Sequence, residues 1–247
     1  MYSNAYIFRY ATIMVIVVAA VLSGAAMLLK PFQTKNIKVD KMQGILAAAN
    51  VSSTPEDAIE LYRENILVEL ASDKNGDIVS EYQDGELLKG DVRPFELKMK
   101  EELYKQSLGN DYHMPLYIAR QGGDTVYIVP LYGKGLWGPI WGNIALGSGF
   151  DKVVGVSFDH KSETPGLGAE INTQAFEDQF FGKTIFNKTK EFVSIQVVKG
   201  GIDMLPQDMK IHGVDAISGG TITSNGVSDM LNDVLKLYVP FVKKHIR

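Results

Sequence analysis

Cysteine is absent from all 247 residues, which excludes disulfides, thiolate metal sites, iron–sulfur ligation and any group tethered through a cysteinyl sulfur. The compartment stays open, because a chain of this size folds outside the cytoplasm without bridges. Histidine is scarce too: His113, His160, His212 and His245 are scattered without metal-ligand spacing, so no metal site is expected. The formal net charge is −4 and no basic stripe runs along any face, so a nucleic-acid partner is not expected. There is no GxGxxG turn after a strand, no P-loop and no Ser-His-Asp pattern, which disfavours an ordinary nicotinamide-binding dehydrogenase.

Charge is also missing from one long run, and that absence is informative. Residues 11–29, ATIMVIVVAAVLSGAAMLL, hold nineteen positions without a charge. At about 1.5 Å of rise per residue such a helix nearly spans a hydrocarbon core, and Tyr10 and Lys30 stand where interfacial anchors belong. The run is read as a transmembrane helix; its competitor is a signal peptide, whose apolar region is typically about 7–15 residues. Nothing in it offers the intramembrane charges of an ion path. Lys30, Lys35, Lys38 and Lys41 follow it, and a positive-inside count would place the rest of the chain in the cytoplasm. Long downstream domains translocate largely regardless of such charges, so the count leaves sidedness open.

The remainder, roughly 210 residues, suffices for a substantial core. Residues 41–50 and 54–65 read as helices, the second announced by Thr54-Pro55-Glu56-Asp57. Ile66–Leu70 and Ile78-Val79 read as a hairpin about Asn75-Gly76, and the charged run 98–105 as a solvated helix face. Leu116–Arg120 and Thr125–Pro130 are strand-like around Gly122-Gly123-Asp124; residues 152–158 and 192–198 are further strands, with a helix between them at about 173–181. Mixed strands and helices in this order argue an α+β fold. The expected division is an anchor at 1–30, a helical and hairpin region at 31–114 and a ligand-bearing domain at 115–247.

Glycine marks where the ligand belongs: 18 of 24 glycines fall between residues 121 and 226. The densest stretch is Asp215-Ala-Ile-Ser218-Gly219-Gly220-Thr221-Ile-Thr223-Ser-Asn-Gly226, which opens onto a helix whose apolar positions Val227, Met230, Leu231, Val234, Leu235 and Tyr238 recur at three- and four-residue spacing. Thr223, Ser224 or Asn225 can serve as its N-cap. A hydroxyl at a helix N-terminus sits beside unpaired N–H groups and partial positive charge, a setting suited to phosphate. From spacing alone, the same residues are also ordinary capping and turn chemistry.

Two further stretches stand out. Glu163-Thr164-Pro-Gly166-Leu167-Gly168 leads to Glu170, and Gly135-Leu-Trp137-Gly-Pro-Ile-Trp141-Gly142 precedes a strand. Each has a plain structural reading, a turn for the first and two core tryptophans for the second. Glu163 also invites a general-acid/base reading, paired with Glu170 or Asp159. Lys199-Gly200-Gly201 could add a positive charge nearby, or be a solvated turn.

Together these stretches resemble the FMN-binding domain family. Asp-Ala-Ile-Ser-Gly-Gly-Thr followed by Ile-Thr-Ser is similar to its flavinylation motif, residues 163–168 to its Glu-Thr-Pro-Gly-Leu-Gly loop, and residues 135–142 to the aromatic-glycine segment of its quinone-reductase branch. The resemblance implies Thr221 as the acceptor of a covalent FMN phosphoester, with Asp215 and Ser218 as motif positions. The family usually has Ala where Gly220 stands. It implies that Thr164, Gly166, Leu167 and Gly168 meet the isoalloxazine or phosphate through backbone groups, with Glu163, Trp137, Gly219, Gly220, Thr223 and Lys199 completing the cofactor site.

In architecture the chain resembles the C-subunit family of sodium-translocating NADH:quinone oxidoreductases. That implies a single-pass protein of the bacterial inner membrane with its soluble domain on the periplasmic side. Its FMN would relay electrons from an iron–sulfur centre to a flavin in a neighbouring subunit, after a separate flavin transferase uses FAD and releases AMP. The other implied partners are the remaining subunits and the lipid bilayer. The alternatives are the related G subunit of the Rnf ferredoxin:NAD oxidoreductase and a membrane-anchored binding module without covalent cofactor. The insertion before residue 115 and the Trp-Gly-Pro segment favour the quinone-reductase branch.

Overall fold

Apolar residues alternating with period two set the two faces of one large sheet. A computed structural model describes residues 3–246, in two compact units, 1–41 and 42–247. Helix α1 runs Asn4–Ala48, and its apolar stretch, of mean hydropathy 2.6, is long and apolar enough to cross a membrane. The expected helix at 41–50 is the end of this same helix, because no glycine or second proline interrupts residues 32–43 after Pro31.

In the larger unit, α2 (Ala58–Asn65) leads into β1 (Ile66–Ser72), β2 (Ile78–Gln83) and β3 (Glu86–Lys89); α3 (Met99–Ser107) follows. Then come β4 (Met114–Gln121), β5 (Asp124–Lys134), β6 (Pro139–Leu146) and β7 (Val153–His160). These strands form one antiparallel seven-stranded sheet in the order β3-β2-β1-β4-β5-β6-β7. A short α4 (Gln174–Glu177), a two-stranded parallel ladder of β8 (Gln196–Val198) with β9 (Gly213–Asp215), and the long α5 (Thr221–His245) complete the mixed helix-and-sheet fold.

The alternation decides what covers each face. Leu116, Val129, Leu131 and Ile144 face α5, which inserts Val227, Met230, Leu231, Val234, Leu235 and Tyr238. Tyr117, Ala119, Val126, Ile128 and Ala145 face the other way, against Ile45, Leu46, Ala48 and Tyr62. Ser157 Oγ donates to the Gly44 carbonyl at 2.7 Å and ties that helix end to β7.

Several local expectations shift. The Thr54 signal produces a turn, in which Thr54 N–H donates to Asp57 Oδ1 at 2.6 Å, and the helix itself begins at Ala58. The helix expected over 173–181 splits into α4 and a 3₁₀ turn at Asp178–Phe180. The strand expected over 192–198 shortens to β8 because Ser194 has φ 62°, which interrupts extended backbone. In α3 the face is not wholly solvated: Glu102 is buried and accepts the His113 N–H at 2.8 Å. Both short turns behave as their residues require, Gly76 at φ 80° and Gly122 and Gly123 at φ 58° and 97°.

Candidate functional site

Three loops meet at the N-terminal end of α5. The first joins β5 to β6, where Gly135 N–H donates to the Gly138 carbonyl at 2.8 Å and leaves Leu136 and Trp137 at the tip of a tight turn. Trp137 is 65% exposed, so the core reading of this tryptophan is overturned: the turn projects its side chain away from the sheet. The second loop follows β7. Within it Leu167 and Ala169 N–H groups both donate to the Thr164 carbonyl at 3.1 Å, and Gly166, at φ 74°, donates to Glu170 Oε1 at 2.9 Å. The third runs from β9 to α5.

Glu163 joins all of this. Its side chain is buried, Oε1 accepting the Trp137 N–H at 2.8 Å and Oε2 accepting the Thr223 hydroxyl at 2.6 Å. Its own N–H donates to His160 Nδ1 at 3.2 Å, and the neighbouring Ser162 hydroxyl donates to the Trp137 carbonyl at 3.2 Å. The acid/base pairing with Glu170 or Asp159 is not what these carboxylates form: Glu170 holds Gly166, and Asp159 accepts the His160 N–H at 2.7 Å. Their oxygens are occupied in shaping loops.

Packing at this junction leaves room for backbone only. A Cβ at Gly168 would lie 2.5 Å from Glu163 Oε2 and against the Thr223 hydroxyl; one at Gly135 would lie 2.6 Å from Glu163 Oε1. A Cβ at Gly219 would meet Leu167 Cδ2 at 2.6 Å, so the exposed Leu167 lies over the glycine that precedes α5. Gly220 is buried, 3.0 Å separating its absent Cβ from Ile217 Cγ2.

The helix begins earlier than capping chemistry suggests. Thr221 is its first residue, Gly220 stands at the N-cap, and no side chain caps the first turn. Thr223 and Ser224 are therefore inside the helix and buried, not N-caps, and Asn225 is exposed. Ser224 Oγ accepts the Ile217 N–H at 3.2 Å, and Gly220 N–H donates to the Ile217 carbonyl at 3.0 Å. That closed turn orders the approach to the helix and leaves the half-buried Thr221 beside uncapped helix N–H groups.

The outlying residues lie apart from this junction. Asp215 pairs with Val198 in the β8–β9 ladder, and its Oδ1 accepts the Ile202 N–H at 2.7 Å. It thereby fixes the turn carrying the exposed Lys199 and Gly200 and the half-buried Gly201, while Ser218 is exposed in the loop that leads from β9 to α5. Sequence reasoning missed Leu136, 46% exposed, and Ile222, 57% exposed, which flank Trp137 and Thr221 along the chain. Their adjacency to the motif residues was the available signal.

A tight turn bearing exposed aromatic and aliphatic side chains, glycines that admit close approach, and an uncapped helix start beside a hydroxyl suit a ligand with a flat ring and a phosphate. The class is that of an FMN-binding domain: residues 135–236 match the family model of that description, a span enclosing all three loops. The chain belongs to the C-subunit family of Na(+)-translocating NADH-quinone reductases. It is 31% identical to the C subunit of the Vibrio alginolyticus reductase over 235 residues, covering 93% of this chain and 90% of that protein. With the Vibrio campbellii counterpart it shares 31% identity over 221 residues, 86% of this chain and 83% of that one. The crystal structure of the C subunit from Parabacteroides distasonis matches with a TM-score of 0.73 at 37% identity, over 87% of this chain and 96% of that one.

Proposed function

We propose that this chain is a covalent-FMN electron carrier of the Na(+)-translocating NADH-quinone reductase, with Thr221 as the attachment point. The observation that carries the reading is the contrast between two threonines: Thr221 is half-buried at an uncapped helix start, whereas the Thr223 hydroxyl is sealed against Glu163. In attachment, Thr221 Oγ forms a bond to the FMN phosphorus of FAD as the bond to AMP breaks, and the hydroxyl proton passes to the flavin transferase. Gly219, Gly220 and the first N–H groups of α5 hold the phosphate. Trp137 and Leu167, together with Leu136 and Ile222, would meet the ring and keep water from it. Thr164, Gly166 and Gly168 shape the loop under Leu167, while Asp215, Ser218 and Lys199 present the motif to the transferase.

FMN, when bound, supplies the redox chemistry; the chain supplies position and a tether. A carrier held through a phosphoester keeps its group whatever the affinity. The relay runs from an iron–sulfur centre to a flavin of a neighbouring subunit, and ion movement belongs to the assembled complex. Residues 1–30 anchor the chain in the bacterial inner membrane, 31–114 support the core, and 115–247 carry FMN on the periplasmic side.

Co-expression with a flavin transferase, followed by intact mass and in-gel flavin fluorescence after denaturation, tests the assignment. The expected result is a mass gain of one FMN phosphoester and a fluorescent band, both lost in Thr221→Ala. A band that persists in that variant would refute the acceptor.

A further inference from the structure

The Glu163 side chain is bonded both to the β5–β6 turn and to the first turn of α5. Oε1 takes the Trp137 N–H at the tip of the β5–β6 turn, and Oε2 takes the Thr223 hydroxyl in the first turn of α5. Residues two apart on a helix point about 200° away from each other, so holding Thr223 inward turns Thr221 outward. A threonine hydroxyl inside a helix ordinarily bonds back to the carbonyl four residues earlier. At Thr223, the third residue of α5, the residue four earlier is Gly219, outside the helix, and the hydroxyl reaches a residue 60 positions away. The fit is close: a Cβ at Gly135 or Gly168 would lie within 2.6 Å of one of the two carboxylate oxygens and would force the carboxylate out of its place.

We propose that Glu163 and Thr223 are positioning residues, a buried clamp that sets the rotational phase of the α5 start and its distance from the Trp137 turn, so that of the two threonines only Thr221 is presented for modification. This rests on Thr221 being the FMN acceptor. It assigns to Glu163 and Thr223 no contact with flavin: each acts through a neighbour, Glu163 through the Trp137 amide and Thr223 through the orientation of Thr221. Burying a carboxyl and a hydroxyl is tolerated because each satisfies the other, and removing one partner leaves a buried polar group unpaired.

The clamp is tested on the full chain with purified flavin transferase and FAD, measuring the single-turnover rate of FMN attachment by mass. Thr223→Val and Glu163→Ala are expected to slow attachment at least tenfold. Thr223→Ser, which keeps the hydroxyl, and Glu163→Gln, which can accept from Trp137 and donate to Thr223, are expected to stay within threefold of the parent. A second readout needs no flavin: exchange of the Trp137 amide hydrogen in the flavin-free chain should quicken at least tenfold in Glu163→Ala and stay at the parent rate in Thr223→Val, whose carboxyl is intact. Attachment at the parent rate in Thr223→Val, or a Ser variant as slow as the Val variant, overturns the clamp. Should Glu163→Ala fail to fold, the Val and Ser pair at position 223 decides alone. Failure of the acceptor assignment shows differently, as flavin persisting in Thr221→Ala, and leaves the Trp137 exchange result standing.

Discussion

The two ends of α5 are treated in opposite ways. At its N-terminal end no side chain caps the helix, glycines crowd the approach, and Trp137, Leu167 and Ile222 stand exposed around Thr221. At its C-terminal end the helix is clasped to the β1–β2 turn: His245 Nε2 lies 2.9 Å from the Gly76 carbonyl, Lys244 pairs with Asp77, and the backbone of Pro240 and Phe241 fills the space where a Cβ of Gly76 would be. Basic residues in the last turn also suit the negative end of the helix dipole. One end is thus finished by the protein itself, while the other leaves its N–H groups and a hydroxyl for a ligand. On the proposed reading, stability and reactivity are separated along a single helix of 25 residues.

Breaking the open end gives the largest effect. Thr221→Ala should abolish covalent flavin without moving the melting temperature of the flavin-free chain, measured by mass and by thermal denaturation. Gly168→Ala tests the same end more gently: its methyl group displaces Glu163 from Thr223, and attachment should slow at least tenfold while the chain stays folded.

At the closed end Gly76→Ala combines φ 80° with a backbone clash at 2.5 Å. It should cost about 3 kcal/mol, a melting-point drop of roughly 2–4 °C per kcal/mol. Attachment of FMN measured well below that melting point should be unchanged. If Gly76→Ala slows attachment as much as Gly168→Ala does, the two ends are coupled and the separation fails.

A third region supplies a pH-dependent contrast. Burial pushes the Glu177 carboxyl from 4.5 up to about 7, against the bond it accepts from the Phe158 N–H. The folded chain keeps a proton that the unfolded chain has released, so stability falls as pH rises from about 4.5 to about 7, and the loss is complete above that. Allowing for solvent screening of a half-exposed group, the loss is about 1–2 kcal/mol. Glu177→Gln should raise the melting temperature at pH 8 and leave it unchanged at pH 4. The smallest effect belongs to Lys244→Ala, whose exposed pair with Asp77 should shift melting by about 1–2 °C at most. Lys244 holds the Asp77 carboxyl below its ordinary value, so that small contribution is present at neutral pH and fades as pH falls through the carboxylate range.

Local chemistry made much of this legible. The uncharged run 11–29, the hairpin at Asn75-Gly76, the two-residue turn at Gly122-Gly123 and the apolar stripe of α5 all follow from nearest-neighbour rules, because each depends on residues within a few positions of one another. Element ends were less legible. Capping preference pointed to Thr223, Ser224 or Asn225, yet the helix begins at Thr221, since Ser224 accepts the Ile217 N–H from inside the helix and Thr223 is taken up by Glu163. The segment after Gly168 fragments for a similar reason, its backbone following packing of Phe176 and Phe180 on Phe158 and not a helical repeat.

What the sequence determined unaided is the kind of protein: an apolar segment of membrane length, an α+β body, and three glycine-bearing motifs in one half of the chain. Only the tertiary structure decided what Glu163 does, which threonine faces outward and that Trp137 is exposed. Those outcomes depend on bonds between residues 26 and 60 positions apart, set by strand order and helix phase. Local spacing carries neither, because a hydrogen bond forms where the fold brings donor and acceptor together, and many folds could carry the same short motifs.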